Sequence, residues 1–318
     1  MYDLLTLDDV TSSEMLDMFT QARLLKLARA SGAPAAQPLA GRTVALLFEK
    51  PSLRTRVSFE VAARELGATS LYLSWQEVGL GKREAVKDVA RVLSAYAHAI
   101  VMRTFSQEIV EEMALWASVP VINGLTDTHH PCQGLTDVFT IEEQLGGARG
   151  KTLAYVGDGN NCARSLAQAA AKAGMQVRIA TPPGYAPEPA TLISAQLDAA
   201  RSGGAITILN DPFEAVHGAD ALYTDVWASM GQESEAEARR AIFAPYQVNA
   251  NLLALAAPHA IVLHPLPAHR GDEVTDDVLD GIQSRVFDQA ENRLHIQKAI
   301  LRTAMAIPGV RREPALTA

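Results

Sequence analysis

Residues 43–66 read TVALLFEKPSLRTRVSFEVAAREL, and this stretch decides the fold. Its apolar first part, Thr43–Phe48, predicts a buried strand, and Val57–Leu66 predicts a helix. Between them, Ser52–Arg56 places two guanidinium groups and two hydroxyl groups at the turn from strand to helix. Backbone N–H groups at a helix start are unpaired and lie at the positive end of the helix dipole, where anions bind. The stretch therefore predicts an α/β protein that holds an anion after its first strand.

The two arginines of this turn are not equivalent. Residues two positions apart point to different sides of a helix, so we expect only one guanidinium to meet the anion. We assign that role to Arg54, because a planar guanidinium matches the edge of a phosphate. Arg56 has Glu60 four residues further on, which predicts a supporting ion pair. From these residues alone, a solvated basic helix start explains the pattern equally well.

Apolar runs alternate with helical patterns along the chain, which is typical of doubly wound α/β domains with parallel sheets. The predicted strands form two series, Thr43–Phe48, Ser70–Leu73, Ala99–Met102 and Pro120–Ile122, then Thr152–Val156, Gln176–Ala180, Ile206–Leu209, Ala221–Thr224 and Ile261–His264. The glycine-rich segment Gly146–Gly150 separates the series, after a predicted helix over Leu135–Leu145. We therefore predict two domains, residues 1–149 and 150–291, followed by a terminal helix that begins near Asn292.

Composition excludes several classes of protein. The chain has 318 residues, which is enough for two cores of about 150 residues each. A formal net charge of -8 argues against a nucleic-acid or anionic-membrane partner. Apolar runs stay well short of the roughly 18 residues that span a bilayer, and the acidic segment Met1–Val10 is unlike a signal peptide. With Cys132 and Cys162 outside any CxxC pair, the sequence predicts a cytoplasmic protein.

No metal or cofactor is predicted. His129 and His130 are adjacent, but no cysteine or carboxylate stands at a ligand spacing from them. Thr152–Val156 runs into a Gly157–Cys162 turn that fits the first two glycines of a dinucleotide-binding motif, which keeps a nicotinamide-dependent dehydrogenase as an alternative. Against it, Cys162 replaces the third glycine, and the next predicted strand is followed by Thr181 and two prolines rather than an acid for a ribose.

Polar groups fall at the ends of several predicted strands, where open α/β sheets bind their ligands. They are Arg103, His130–Gln133, Asp225–Gly231 and His264–Pro267. Taken singly, each has an ordinary structural explanation: a surface charge, a turn histidine, a helix cap, and a packed residue before prolines. Their joint placement favours a binding site.

These residues carry a resemblance to the aspartate/ornithine carbamoyltransferase family that runs from about Leu4 to Ala306. Ser52–Arg56 resembles the Ser-Thr-Arg-Thr-Arg motif for carbamoyl phosphate, and His130–Gln133 resembles the His-Pro-x-Gln motif. Asp225–Gly231 and Phe287–His295 resemble the ornithine branch of the family.

The resemblance implies a carbamoyl phosphate domain and an ornithine domain, joined by interdomain helices. The second of these helices, at about 292–318, belongs with the first domain. A homotrimer or a multiple of trimers is implied, with the site near a subunit interface and no cofactor.

The site residues that follow are those implied by the resemblance. Phosphate is assigned to Ser52, Leu53, Arg54, Thr55 and Arg103; the carbamoyl group to Thr55, Arg103, His130, Pro131, Cys132, Gln133, Pro265, Leu266 and Arg293; ornithine to Asn161, Asp225, Ser229 and Met230; and Gly79 to the loop 78–84 that reaches a neighbouring subunit. Arg54, Thr55, Arg103, His130 and Asp225 are expected to be catalytic.

The implied reaction is attack by the δ-amine of ornithine on the carbamoyl carbon, giving citrulline and phosphate, in arginine biosynthesis or catabolism. Thr55, Arg103 and His130 would stabilise the oxyanion. Arginines suit a dianionic phosphate, whereas a zwitterionic amino acid needs a carboxylate and neutral donors.

The chain departs from the family pattern at Leu53, Gly79 and Pro265. At position 53 the family usually has threonine. At position 79 it often has glutamine or histidine. At position 265 the ornithine branch has the cysteine of His-Cys-Leu-Pro, whereas this chain has the His-Pro-Leu-Pro of aspartate carbamoyltransferases. Putrescine, N-acylated ornithine and aspartate stay open as acceptors, as does a non-catalytic binding protein. An amine-bearing acceptor is favoured over aspartate, because Asp225–Glu233 contains no basic residue.

Overall fold

The structure, a computed structural model, describes residues 2–32, 36–229 and 231–306. The chain divides by its contacts into two compact units. The first unit comprises Met1–Cys132 and Asn292–Ala318, and the second comprises Gln133–Glu291. Each unit contains one parallel sheet with helices on its flanks, so the predicted fold class is confirmed.

The first unit contains a four-stranded sheet in the order β2-β1-β3-β4. Its strands are β1 (Thr43–Phe48), β2 (Thr69–Ser74), β3 (Ala99–Arg103) and β4 (Val121–Leu125). Its helices are a 3₁₀ turn (Leu7–Asp9), α1 (Ser12–Ala30), α2 (Leu53–Glu65), α3 (Trp75–Val78), α4 (Val86–Tyr96) and α5 (Gln107–Trp116). Helix α6 (Pro131–Leu145) then carries the chain into the second unit.

The second unit contains a five-stranded sheet in the order β7-β6-β5-β8-β9. Its strands are β5 (Thr152–Val156), β6 (Gln176–Ala180), β7 (Ala205–Leu209), β8 (Ala221–Tyr223) and β9 (Ile261–Leu263). Its helices are α7 (Asn161–Lys172), α8 (Pro189–Ser202), α9 (Pro212–Val216), α10 (Ala236–Phe243), α11 (Ala250–Leu253) and α12 (Asp276–Leu279), with 3₁₀ turns at Glu233–Glu235 and Ala244–Tyr246. Helix α13 (Val286–Ala304) returns the chain to the first unit.

All the predicted strands are confirmed, and β1, β5 and β6 have the predicted bounds. Strands of a parallel sheet are covered on both faces, so they appear as continuous apolar runs that are easy to recognise. Within β1, the residues from Val44 to Phe48 are all buried. Around both sheets, buried aliphatic side chains form the cores of the two units.

Three helices begin earlier in the chain than predicted. Helix α2 begins at Leu53 rather than Val57, since Ser52 caps it. Helix α6 begins at Pro131 rather than Leu135, because proline is well suited to a first turn. The terminal helix begins at Val286 rather than Asn292.

The division into units runs through α6, whereas the sequence indicated a boundary at Gly146–Gly150. Those glycines end α6, and Gly146 and Gly147 have φ angles of 70° and 145°. A helix that continues across a boundary leaves no compositional signal at the point where its contacts change. In the described part of the chain, no helix has an apolar stretch of the length that a bilayer crossing requires.

Candidate active site

The turn after β1 and the end of β3 meet because the order of the first sheet reverses between these two strands. β1 and β3 are parallel neighbours, with Phe48 opposite Arg103. Directly after β1, the Ser52 hydroxyl accepts the Thr55 N–H at 3.2 Å and caps α2. The topology therefore places the start of α2, with its positive dipole end, beside Arg103.

Two arginines from distant parts of the chain converge on Thr55. Its hydroxyl oxygen accepts from Arg103 Nη1 at 3.4 Å and from Arg293 Nη2 at 2.9 Å. All three residues are buried, Thr55 with 1% of its surface exposed. With its oxygen accepting two hydrogen bonds, the Thr55 hydroxyl hydrogen is the group that can donate to a ligand oxygen. We call Thr55, Arg103 and Arg293 the basic cluster.

The two arginines of the opening motif have separate environments. Arg56 is exposed, its Nε lies 2.9 Å from Glu60 Oε1, and its guanidinium stacks 3.7 Å above the Tyr72 ring. The predicted Arg56–Glu60 ion pair is therefore confirmed. Arg54, in the first turn of α2, is half-buried, and Leu53 beside it is 75% exposed.

His130 is buried near the basic cluster, within the same unit. Burial lowers the pKa of His130 well below its usual value, and the positive charges of Arg293 and Arg103 lower it further. The imidazole is therefore neutral at pH 7 and can donate a hydrogen bond without adding a positive charge.

The neighbours of His130 in the motif differ in what they can offer a ligand. Pro131 is buried and begins α6. The Cys132 thiol donates to the Asn123 carbonyl at 3.4 Å, and burial raises the pKa of Cys132 to about 12. A protonated thiol that contacts β4 is a packing group.

Gly79 has a structural reason to be glycine. It ends α3 with a φ of 67°, in the left-handed region that side chains rarely adopt. A Cβ atom at this position would lie 2.8 Å from the Cβ of Arg83. The backbone of the turn after α3 therefore requires glycine at position 79, independently of any ligand or neighbouring subunit that the loop contacts.

In the second unit, the sheet order reverses between β5 and β8, where Tyr155 lies opposite Tyr223. The turns after these strands bring Asn160 and Asp225 together, with Asn160 Nδ2 donating to Asp225 Oδ2 at 2.9 Å. The Asn160 oxygen also caps α7, at 2.9 Å from the Cys162 N–H. Asn161, the first residue of α7, is buried beside it. The predicted residues Asn161 and Asp225 are thus brought into one place, together with Asn160.

Asp158 lies in the same turn and forms an ion pair with Arg239 at 3.3 Å. Burial raises the pKa of Asp158 to about 6; the Arg239 charge opposes this shift, and the Asp225 charge adds to it. Arg239 also binds Glu235 Oε2 at 3.0 Å and the Trp227 carbonyl at 3.0 Å. We call Asp158, Asn160 and Asp225 the acidic cluster.

Two further residues that the sequence predicts to bind the acceptor, Ser229 and Met230, follow β8 in the chain. The half-buried Ser229 donates its N–H to Gln232 Oε1 at 3.0 Å. Met230 lies outside the described residues. Trp227 is buried, and its ring stacks on Phe243 with 6.0 Å between the ring centres.

Pro265 and Leu266 follow β9 and are held by buried side chains. Leu266 has a φ of 57°, which is unfavourable for leucine, and its N–H donates to His264 Nδ1 at 2.9 Å. On its other side, His264 Nε2 lies 3.1 Å from Glu273 Oε1, with both side chains fully buried. Pro265, which stands between His264 and Leu266 in the chain, is also buried.

Sequence reasoning missed Asn160, Asp158, Arg239 and Glu273. Asn160 and Asp158 lie in the Gly157–Cys162 turn, whose glycines resemble a dinucleotide-binding motif and do not indicate a contact with Asp225. Arg239 and Glu273 lie beyond their motifs, and no local pattern indicates their partners.

The glycines of that turn have a different use from phosphate binding. A Cβ at Gly159 would lie 2.3 Å from the Pro187 nitrogen, and the Gly159 N–H donates to the Tyr185 carbonyl at 2.9 Å. The close backbone approach that a dinucleotide motif reserves for pyrophosphate is taken here by the chain itself. Among the described residues, no group of three or more His, Cys, Asp or Glu side chains is arranged to hold a metal.

Both halves of the chain match family models. The model described as "Aspartate/ornithine carbamoyltransferase, carbamoyl-P binding domain" matches residues 2–143. The model described as "Aspartate/ornithine carbamoyltransferase, Asp/Orn binding domain" matches residues 149–304. The chain belongs to the aspartate/ornithine carbamoyltransferase family. The resemblance found in the motifs is therefore confirmed.

Relatives within this family match almost the whole chain. The ornithine carbamoyltransferase of Thermococcus kodakarensis is 52% identical over 95% of this chain and 96% of that protein. The solved structure of ornithine carbamoyltransferase from Pyrococcus furiosus has a TM-score of 0.93 and 51% identity, and covers 96% of this chain and 97% of its own. The anabolic ornithine carbamoyltransferase of Campylobacter jejuni has a TM-score of 0.90 at 36% identity, and covers 96% of this chain and 99% of its own.

Proposed function

We propose that this chain transfers the carbamoyl group of carbamoyl phosphate to the δ-amine of L-ornithine, giving L-citrulline and phosphate. The observation that carries the proposal is the convergence of Arg103 and Arg293 on the Thr55 hydroxyl. Two buried guanidinium groups beside a helix start suit a dianionic ligand. Relatives that are about half identical along the chain are named ornithine carbamoyltransferases, which supports ornithine as the acceptor.

The first unit supplies the phosphate site. Ser52, Leu53 and Thr55 offer backbone N–H or hydroxyl donors, and Arg54 and Arg103 offer positive charge. Leu53 lacks the usual hydroxyl, but its backbone N–H stands in the first turn of α2 and needs no side chain to meet an anion.

The carbamoyl oxygen gains negative charge as the amine attacks. Thr55, Arg103 and His130 donate to it, and Arg293 adds positive charge through its contact with Thr55. A neutral His130 contributes a hydrogen bond in an environment where a charged imidazole is disfavoured by burial and, to a smaller extent, by two arginines. No protein nucleophile is required, and phosphate leaves with its charge compensated.

The second unit binds the acceptor. Asp225, with Asn161, Ser229 and Met230, is assigned to the α-amino and α-carboxylate groups of ornithine. The carboxylates of Asp158 and Asp225 favour a substrate that carries two amines and disfavour the second carboxylate of aspartate. Pro265, which the aspartate branch shares, therefore does not decide the acceptor.

The δ-amine must lose a proton before it attacks. An alkylamine with a pKa of about 10.4 is less than about 0.1% neutral at pH 7. Removal from water lowers that pKa, and the departing phosphate accepts the proton. We expect kcat/KM to rise above pH 7 along a limb set by the amine; a flat profile from pH 6 to 9, with chemistry rate-limiting, contradicts this account.

One assay tests the choice of acceptor. Turnover of ornithine, putrescine, N-acetylornithine and aspartate is compared with carbamoyl phosphate held at saturation. Ornithine is expected to give the highest kcat/KM. Faster turnover of any other acceptor refutes ornithine as substrate, and binding of carbamoyl phosphate without any product indicates a non-catalytic relative.

We also propose a cytoplasmic homotrimer, or a multiple of trimers, in which the loop 78–84 reaches the neighbouring site. Family membership supports this assembly. Light scattering after size exclusion measures it, and a stable, active monomer is the result that excludes it.

A further inference from the structure

Asp137 is a fully buried carboxylate on α6 that accepts hydrogen bonds from Gln133, Gln289 and Tyr223. Gln133 Nε2 donates to its Oδ1 at 2.7 Å, and Gln289 Nε2 donates to the same oxygen at 2.6 Å. The Tyr223 hydroxyl donates to Oδ2 at 3.0 Å. All four residues belong to the second unit.

We propose that Asp137 is a positioning residue that holds the Gln133 amide with its carbonyl oxygen toward the carbamoyl NH₂ group. By doing so it makes the site select a ligand with an N–H donor over one with a methyl group. This inference rests on the proposed function, in which Gln133 binds the carbamoyl group.

The Gln133 amide can bind the carbamoyl NH₂ group only if its oxygen, and not its NH₂ end, points toward that group. A glutamine side chain that turns by half a rotation exchanges its acceptor for two donors. A carboxylate can only accept, so the NH₂ end of Gln133 must face Asp137 and the oxygen must face the opposite way. The carbamoyl group also ends in NH₂, and only the oxygen end of Gln133 can accept from it. A site built to bond an N–H discriminates strongly against an analogue that lacks it.

The carboxylate is itself held from three elements. Gln133 stands four residues before Asp137 on the same face of α6, Tyr223 ends β8, and Gln289 lies in α13. Burial raises the pKa of Tyr223 well above its usual value, and the nearby Asp137 charge raises it further, so the hydroxyl stays protonated and donates. A buried carboxylate is tolerated when such donors replace the water that it has lost.

The same carboxylate also orients a second carbamoyl-binding element. Because Gln289 presents its NH₂ to Asp137, its oxygen faces the His264 N–H and accepts from it at 2.9 Å. His264 in turn accepts the Leu266 N–H. Gln133 and the Pro265–Leu266 backbone, both assigned to the carbamoyl group, are therefore tied to one carboxylate.

The experiment measures discrimination between two acyl phosphates. Wild type and Asp137→Ala are compared for the KM of carbamoyl phosphate and for the inhibition constants of acetyl phosphate and inorganic phosphate. In acetyl phosphate a methyl group replaces the NH₂. The variant is expected to raise the carbamoyl phosphate KM roughly tenfold, the loss of about one buried hydrogen bond, and to change the other two constants less than about twofold. Equal weakening of all three ligands, or no change in their ratio, overturns the proposal.

Further variants separate positioning from folding. Asp137→Asn keeps an oxygen that can accept from both glutamines, and it should restore most of the discrimination. Asp137→Thr fills more of the site than alanine, but its hydroxyl both donates and accepts, so it should lose discrimination as alanine does and serves if Asp137→Ala fails to fold. Tyr223→Phe is the matched control, because it removes the hydrogen bond to Oδ2 and a long 3.4 Å contact from Gln289 Nε2 but leaves both glutamine bonds to Oδ1, so it should lower the melting temperature while keeping the discrimination.

A double-mutant cycle completes the test. In a Gln133→Ala background, Asp137→Ala should cause a much smaller loss of discrimination than in wild type, because the Gln133 amide is gone and only the route through Gln289 and the Pro265–Leu266 backbone remains. Additive losses contradict the proposal. If wild type forms no citrulline, the proposed function has failed; if wild type is active and the Asp137 variants discriminate normally, only this inference has failed.

Discussion

The basic cluster of the first unit and the acidic cluster of the second are built on the same plan with opposite charge. Each lies where the strand order of a parallel sheet reverses, and in each a polar residue caps the following helix. After the Ser52 cap, the Thr55 hydroxyl accepts from Arg103 and Arg293, whereas the Asn160 cap itself donates to Asp225. The topology determines where a ligand binds, and the side chains that converge there determine which charge it carries.

The two clusters also differ in how their charges are compensated and in how those charges depend on pH. In the basic cluster, two buried arginines share the Thr55 hydroxyl and disfavour protonation of His130. In the acidic cluster, Asp158 is partly compensated by Arg239, and its pKa lies close to the physiological range. The basic cluster is therefore charged at every working pH, while the charge of the acidic cluster changes with pH.

The largest effect should come from Arg54, the arginine that we propose binds the anion. Arg54→Ala removes a positive charge at the start of α2 and is expected to lower kcat/KM for carbamoyl phosphate by about 10³. Arg56→Ala is the matched control, because that side chain contacts Glu60 and Tyr72 instead. It should lower the melting temperature slightly and leave the kinetics nearly unchanged. If the two variants behave the other way round, the assignment of Arg54 to the anion and of Arg56 to support is wrong.

A smaller and more selective effect is expected in the acidic cluster. Asp225→Asn keeps the size of the side chain but removes the charge that favours an amine. We expect the KM of ornithine to rise about 100-fold, the cost of about 3 kcal/mol for a charged hydrogen bond, and the inhibition constant of phosphate to stay the same. An equal loss for phosphate would show that the two clusters are not independent.

The sequence was sufficient for the sheets, because Thr43–Phe48 and Thr152–Val156 are continuous apolar runs between clear breaks. It also indicated the polar residues at strand ends, since these follow the strands directly. It did not indicate that Arg293 contacts Thr55, or that Glu273 supports His264. Such contacts join separate elements and leave no local period, so the role of Arg293 came from the resemblance alone.

The pH dependence of the ornithine KM should distinguish the acidic cluster from the basic cluster. With a pKa of about 6, Asp158 is ionised at pH 7 and becomes protonated as the pH falls below 6. The KM of ornithine should then rise, by about tenfold at pH 5 if the protonated form binds poorly, whereas the inhibition constant of acetyl phosphate should show no such step. Asp158→Asn should remove the pH step from the ornithine KM. A step that persists in this variant comes from another group.

The smallest effect is expected in the free energy of unfolding, and it tests whether His130 in the first unit stays neutral. The folded-state pKa of His130 is lowered, so below the unfolded value of about 6.5 the unfolded chain binds a proton that the folded chain does not. The free energy of unfolding should therefore decrease as the pH falls below 6.5, by at most about 1.4 kcal/mol per pH unit for this one group. Urea unfolding of wild type and His130→Gln at pH 7, 6 and 5 measures the contribution. The two slopes should differ over this range; identical slopes mean that burial and the neighbouring arginines do not keep His130 neutral in the folded chain.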